Sequence, residues 1–372
     1  MWIHVSSVGE FEQARPLITE LARARPDIPI ALTFSSPSGF RFARRREHVG
    51  GESNIAFLDY LPEDTSKNMR LCFECLSPRL LILVKFDIWP NLVWTAHDRG
   101  VPIVLVDATL SRSSRRLSRL GRSFYRSIYA AITRIVAISE LDAERFRSSV
   151  PQHARITVAG DTRFDRVMER WNEREATSLA YDPLGRHVVI AGSTWPADET
   201  RLLPALAGIL ANDAGVCAII APHEPEPDRV AALVRWTGQN GFSVHTVTGG
   251  GPPGARVAII DTVGVLAEAY RLGTIAYVGG GFSTGVHSVL EPAIAGLPVL
   301  FGPVNANSLE AAELIAHGGA FCVRTAHELQ EQIHRLLGNT STLTDAAVAA
   351  QKYVHARTGA TSKCMEAIAE FL

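Results

Sequence analysis

Carboxylates, an imidazole and guanidinium groups recur in this chain just past short apolar runs. An open α/β sheet binds its ligands there, at the carboxyl ends of its strands. The first such group is Glu10, in Trp2-Ile3-His4-Val5-Ser6-Ser7-Val8-Gly9-Glu10. Ile3–Val5 reads as a buried strand, Ser6–Gly9 as a tight turn of small residues, and Phe11–Arg25 as an amphipathic helix. Ser7-x-x-Glu10 also fits a capping box, in which both side chains satisfy orphan helix amides. On those four residues alone the cap is the stronger reading.

Further along, Lys85-Phe86-Asp87-Ile88-Trp89-Pro90-Asn91 ends an apolar run at Leu80–Val84. Asp87 there can stabilise developing positive charge or orient an acceptor; as a surface Asp–Lys pair it would contribute under about 1 kcal/mol. Gly160-Asp161-Thr162-Arg163-Phe164-Asp165 offers Arg163, whose planar guanidinium can grip phosphate through two hydrogen bonds. Ile219-Ile220-Ala221-Pro222-His223 places an imidazole just past another strand, suited to a phosphate or a base. Gly192-Ser193-Thr194-Trp195 and Asp261-Thr262-Val263-Gly264 occupy equivalent places. Ile275–Val278 runs into Gly279-Gly280-Gly281, where the backbone can approach a ligand, with a helix expected near Ser288-Val289-Leu290-Glu291-Pro292. Glu291 can accept both hydroxyls of a ribose, or simply suit the positive end of its helix. The glycine spacing is not the dinucleotide fingerprint, which argues against NAD.

The elements that must position these groups alternate. Strand-like runs at Ile3–Val5, Pro29–Phe34, Ile55–Leu58, Leu80–Val84, Ile103–Asp107, Arg134–Ile138 and Arg155–Val158 are separated by helical patterns, giving βαβ units and a parallel sheet. The pattern repeats from His187 to Val323, with a helix expected over Gly264–Arg271. The expected fold is therefore α/β, with two doubly wound domains facing a central cleft. Residues 1–168 form the first domain, 169–185 a polar linker, 186–350 the second domain, and 351–372 a C-terminal helix returning to the first.

A chain of 372 residues with 47% hydrophobic and 20% charged content suits a soluble two-domain enzyme. Five cysteines indicate reduced thiols, and Cys72-x-x-Cys75 lacks a second pair to complete a zinc site. There is no Asp-x-Asp motif or His/Cys ligand cluster, so no metal is expected. Net charge is −1, but residues 1–170 carry +6 and the remainder −7. Arg41, Arg44, Arg45 and Arg46 form one basic cluster. Arg112, Arg115, Arg116, Arg119, Arg122 and Arg126 form another, interleaved with Leu117, Leu120, Phe124 and Tyr125. Such segments suit an anionic membrane surface or a phosphorylated acceptor, and equally a solvated basic face. No apolar run reaches the roughly 18 residues that span a bilayer, and no signal peptide is visible.

Taken in order, Ser-Val-Gly-Glu, Trp-Pro-Asn, Gly-Asp-Thr-Arg-Phe-Asp, Ala-Pro-His-Glu, Asp-Thr-Val-Gly and Gly-Gly-Gly…His-Ser-Val-Leu-Glu-Pro…Pro-Val-Leu-Phe-Gly-Pro resemble the 3-deoxy-D-manno-octulosonic acid (Kdo) transferase family, from Trp2 to about Ala320. The resemblance implies a GT-B fold, CMP-Kdo as donor, a lipid A precursor as acceptor, and a metal- and cofactor-free inverting transfer in lipopolysaccharide biosynthesis, without nucleic acid. It puts the catalytic base on Glu10 and transition-state stabilisers on Asp87 and Arg163. CMP contacts fall on Pro222, His223, Val263, Gly264, Val265, Ser288, Val289, Leu290 and Glu291. It also implies the cytoplasmic face of the inner membrane, peripherally or through an N-terminal anchor missing from this chain. Many members have Glu-Thr-Glu before Leu-Trp-Pro-Asn where Lys85-Phe86-Asp87 stands here, Lys at the Arg163 position and Asn at Ser288. Set within this ordered series, Glu10 reads as the base and the cap as its second role. Rival readings are a GT-B transferase or epimerase using another sugar nucleotide, and a catalytically silent envelope-assembly protein.

Overall fold

The computed structural model describes residues 1–47, 54–111, 114, 116, 119–149, 155–173 and 179–372; Arg112, Arg115 and Leu117 of the second basic segment lie outside them. Contacts divide the chain into two units, Met1–Glu169 with Arg357–Leu372, and Arg170–Ala356.

In the first unit strands and helices alternate as β1 (Trp2–Val5), α1 (Val8–Ala24), β2 (Ile30–Phe34), α2 (Pro37–Glu47), β3 (Ile55–Tyr60), α3 (Ser66–Leu76) and β4 (Leu81–Val84). They continue as α4 (Pro90–Asp98), β5 (Ile103–Ala108), α5 (Arg119–Ala130), β6 (Arg134–Ala137), α6 (Glu140–Ser149), β7 (Arg155–Val158) and α7 (Thr162–Glu173). All pairings are parallel, in the order β3-β2-β1-β4-β5-β6-β7. The central strands β1, β4 and β5 are buried throughout. That is why they read as continuous apolar runs rather than alternating ones.

The second unit follows as β8 (His187–Thr194), α8 (Pro196–Asn212), β9 (Val216–Pro222), α9 (Pro227–Gln239), β10 (Val244–Thr246), β11 (Val257–Ile259), α10 (Leu266–Ala269), β12 (Ile275–Val278), α11 (Leu290–Ile294), β13 (Val299–Phe301), α12 (Leu309–Ala316), β14 (Ala320–Cys322), α13 (Ala326–Leu337) and α14 (Thr340–His355). Its parallel sheet runs β10-β11-β9-β8-β12-β13-β14. In each unit the first strand lies in the interior, and later strands are added first on one side and then on the other. The order therefore reverses beside β1 and beside β8, and such a switch point opens a crevice at the strand ends.

Three expectations are corrected. Helix α1 starts at Val8, because Ser7 caps it, so Glu10 stands inside the first turn and not beyond a preceding turn. The helix expected over Gly264–Arg271 is only the four-residue α10 followed by a 3₁₀ turn, Tyr270–Leu272. Residues 351–372 are not one helix. Gly359, at φ 99°, separates α14 from α15 (Ala360–Ala369). Cys364, Ala367 and Ile368 of α15 join Ile3, Val5 and Leu17 in one core of the first unit. Asp165 secures that helix by accepting hydrogen bonds from Gly359 N, Thr361 N and Thr361 Oγ1. The stretch expected as linker begins as the last turns of α7, the chain passing into the second unit after Glu169.

Close backbone packing within the unit leaves no room for side chains at the three glycines after β12. A Cβ on Gly279 would overlap the Ser193 carbonyl, and one on Gly281 would meet the backbone of Gly302. Gly280 has φ 89°. Gly279→Ala should lower stability by about 2 kcal/mol or more through overpacking against rigid backbone. Thermal unfolding beside the wild type measures it, and an unchanged midpoint would refute the packing role.

Candidate functional site

The first unit's switch point lies between β1 and β4, which pair directly. Two of the singled-out carboxylates converge on it. The Ser7 side chain accepts from Glu10 N at 3.4 Å, and Glu10 Oε2 folds back to accept from Ser6 N at 2.6 Å and Ser7 N at 3.2 Å. Glu10 is thus a true capping-box residue, and it is buried. Burial pushes its carboxyl above the usual range and the nearby Asp87 charge adds to that, while the Ser6 and Ser7 amides and Lys85 pull the other way. The net direction is upward. A helix N-terminus alone would keep the acid fully ionised, but here burial outweighs it, which brings Glu10 closer to the acidity a general base needs near neutral pH.

Asp87 is not a partner of Lys85. Its Oδ2 accepts from His4 Nε2 at 2.9 Å and from Trp89 Nε1 at 3.1 Å. Burial pushes it up, but hydrogen bonds from His4, Ser6 and Trp89 outweigh burial and leave it below the usual carboxylate range. His4, from the middle of β1, is fully buried, with Nδ1 2.9 Å from Thr33 Oγ1; Thr33 in turn accepts from Trp2 Nε1 at 2.8 Å. If His4 donates Nε2–H to the carboxylate, Nδ1 must accept the threonine proton, and every member is satisfied. Lys85 has φ 64°, a conformation uncommon outside glycine, and its ammonium lies 5.3 Å from the Phe86 ring. Strain of this kind at a strand end marks functional loops.

Arg163 stands at the start of α7, where its Nε and Nη2 bind Asp161 at 2.9 Å and 2.6 Å. Its guanidinium is therefore held in place by a carboxylate of its own unit. Asp161 also accepts from Gln13 Nε2 at 3.4 Å, which connects Arg163 to α1.

In the second unit the candidates gather at the carboxyl edge of its sheet. Pro222 closes β9, and His223 N bonds Thr194 O at 2.9 Å. The exposed His223 ring stacks on His287 at 4.3 Å and on Trp195 at 4.8 Å, and Trp195 Nε1 donates to His287 Nε2 at 2.7 Å. Burial, then His223, lowers the basicity of His287, against an opposing pull from Asp198. Asp198 is wholly buried and accepts from Trp195 N, Tyr277 Oη and Gly280 N, locking α8 to the glycine loop. Val263 and Gly264 are exposed and Val265 half-buried, whereas Val289 and Leu290 are buried and offer a ligand only backbone. Ser288 is exposed. Helix α11, at five residues, is a weak dipole, so Ser288–Glu291 is a loop edge more than a helix-terminal anion site. Glu291 is paired with Arg170 at 2.9 Å. Trp195 lies in one of the strand-end motifs, whereas His4, Asp198 and His287 carry no expected role; a histidine inside an otherwise apolar strand is the one available signal, for His4.

Residues 1–166 match the family model described as 3-deoxy-D-manno-octulosonic-acid transferase. A protein of that name from Bordetella pertussis is 27% identical over 381 residues, covering 100% of this chain and 87% of its own length. Another, from Haemophilus influenzae, is 24% identical with the same coverage. Among solved structures, UDP-GlcNAc 2-epimerase from Neisseria meningitidis superposes with a TM-score of 0.71 at 14% identity, covering 99% of both chains. A glycosyltransferase from Rickettsia africae does so with a TM-score of 0.62 at 10% identity, covering 100% of this chain and 97% of its own. The chain is thus related in sequence to Kdo transferases over its whole length, and it has the two-domain GT-B fold of sugar-nucleotide enzymes.

Because Asp87 raises the Glu10 pKa and Lys85 lowers it, Asp87→Asn should shift Glu10 titration to lower pH and Lys85→Gln to higher pH. Carboxyl-carbon NMR shifts follow both, and shifts of the opposite sign would contradict the electrostatic picture.

Proposed function

We propose that this chain, a relative of Kdo transferases from end to end, is a glycosyltransferase that moves Kdo from CMP-Kdo to a lipid A precursor with inversion and without a metal. The observation that supports it most is the buried, upshifted Glu10 carboxylate beside the His4-bound Asp87 at the β1–β4 switch point. An acceptor hydroxyl forms the new bond to the anomeric carbon of Kdo as the bond to the CMP phosphate oxygen breaks. CMP departs with that electron pair, and the hydroxyl proton passes to Glu10. Asp87, the more acidic of the two, stays ionised and stabilises the positive character that builds on the sugar. His223, the loop at Val263–Val265 and the backbone at Ser288–Glu291 hold CMP. Arg163 is assigned to the charge developing on the leaving group. Among the described residues no group of three or more His, Cys, Asp or Glu is placed to hold a metal ion.

For the acceptor, the reading rests on the first unit's basic and aromatic surface. Phe86 and Phe124 are exposed, and Arg116 lies 6.0 Å from the Phe86 ring and 5.3 Å from that of Tyr125. Aromatic rings beside fixed cations suit acyl chains below phosphate. No helix of the described residues is long and apolar enough to cross a membrane, and the proposed location is the cytoplasmic face of the inner membrane.

A transfer assay with CMP-Kdo and a lipid A precursor tests the activity itself; no transfer, or tighter binding of UDP than of CMP, would reject the donor. Glu10→Gln should lower turnover by about 10²–10⁴-fold while calorimetry finds CMP binding unchanged, and near-wild-type turnover would remove Glu10 as base. Phe86→Ser with Phe124→Ser should weaken partitioning onto anionic vesicles by about tenfold or more, and undiminished flotation would place the membrane face elsewhere.

A further inference from the structure

The first unit buries a second carboxyl that the proposed chemistry does not use. Asp107 belongs to the end of β5, is 1% exposed, and has φ 49°, a left-handed conformation held at some cost by a residue with a Cβ. Both of its oxygens meet Thr162. Oδ1 accepts from Thr162 N at 2.9 Å, and Oδ2 lies 2.6 Å from Thr162 Oγ1. That same hydroxyl is 2.7 Å from the backbone carbonyl oxygen of Gln13, one turn beyond Glu10 in α1. A threonine hydroxyl carries one hydrogen, and a carbonyl oxygen only accepts. The contact with Gln13 therefore takes the threonine hydrogen, and the contact with Asp107 must carry a hydrogen from the carboxyl. With an ionised Asp107, one of the two short oxygen–oxygen contacts would hold no hydrogen at all.

We propose that Asp107 works as a neutral carboxylic acid, a positioning residue whose proton ties the start of α7, and with it Arg163, to the first turns of α1 that carry Glu10. The relay runs from Asp107 O–H to Thr162 Oγ1 and from Thr162 O–H to the Gln13 carbonyl. It rests on the reading of Glu10 and Arg163 as catalytic groups.

The surroundings favour the proton. Burial, then the charge of Asp161, push Asp107 up to about 7, against the Thr162 hydrogen bonds and Arg163. From α15 the Cys364 thiol faces it, itself raised by burial and by Asp107. From α1 the nearby Gln13 is neutral, and from α7 Asp165 is taken up by the start of α15.

Asp107→Asn tests the idea, because an amide NH₂ can donate to Thr162 Oγ1 while its oxygen keeps the Thr162 amide. Asp107→Asn should retain turnover that Asp107→Ala loses by about tenfold or more. Stability against pH gives a readout independent of activity. In the wild type the native carboxyl keeps a proton that the unfolded chain releases, so this group's stabilisation fades as pH rises from the ordinary aspartate range through about 7. Asp107→Asn has no such titration, and its melting temperature should gain on the wild type between about pH 5 and about pH 8. Parallel melting curves over that range, or an Asp107→Asn variant as impaired as Asp107→Ala, would overturn the proposal. If Glu10→Gln kept its turnover while the melting curves diverged as described, the base assignment would fall and the neutral Asp107 would stand.

Discussion

A histidine with no access to water needs partners for both ring nitrogens, and that requirement organises the first unit's working edge. His4 lies in the middle of the sheet's switch-point strand, where burial makes an unsatisfied polar atom costly. Thr33 of the neighbouring β2 takes one nitrogen and Asp87, just past β4 on the other side, takes the other. Three strands are thereby joined through one imidazole. The same bond fixes a carboxylate at the strand ends beside the buried Glu10. The two acids then separate in character by environment. Burial dominates at Glu10 and raises it, whereas His4, Ser6 and Trp89 prevail over burial at Asp87 and lower it. Two carboxyls pushed apart in acidity are what a proton acceptor and an ionic stabiliser require.

The second unit meets the same problem with different groups. There the buried acid is Asp198, whose oxygens collect Trp195 N, Tyr277 Oη and Gly280 N from the ends of β8 and β12. The glycines leave no side chains between these backbones, and the rings of Trp195, His223 and His287 stack above the pinned edge. A stacked aromatic surface results, supported by the hydrogen bonds of Asp198 beneath it. Relatives that share under a third of their residues with this chain are compatible with such an arrangement, since parallel sheets and their switch points depend on burial and handedness more than on residue identity.

The alternation of short apolar strands with helices was readable in the sequence, because strands buried on both faces must be apolar throughout and crossover helices must be amphipathic. So was the cap at Ser7–Glu10, since a capping box is local and spans four residues. The strand-end motifs followed from the same logic, for the carboxyl edge of each strand is fixed once the strand is. What only the tertiary structure decided rests on pairings across long stretches of chain. His4 meets Asp87 83 residues away, and Thr162 joins Asp107 to Gln13 over separations of 55 and 149 residues. No local pattern encodes such encounters. They determine that Arg163 arrives already bound to Asp161, that the glycines serve backbone packing, and that Glu10 is buried enough for desolvation to outweigh its helix amides. Sequence fixes which groups stand at the ends of the strands. Folding alone sets their partners and their distance from water, and those two quantities govern protonation and chemistry.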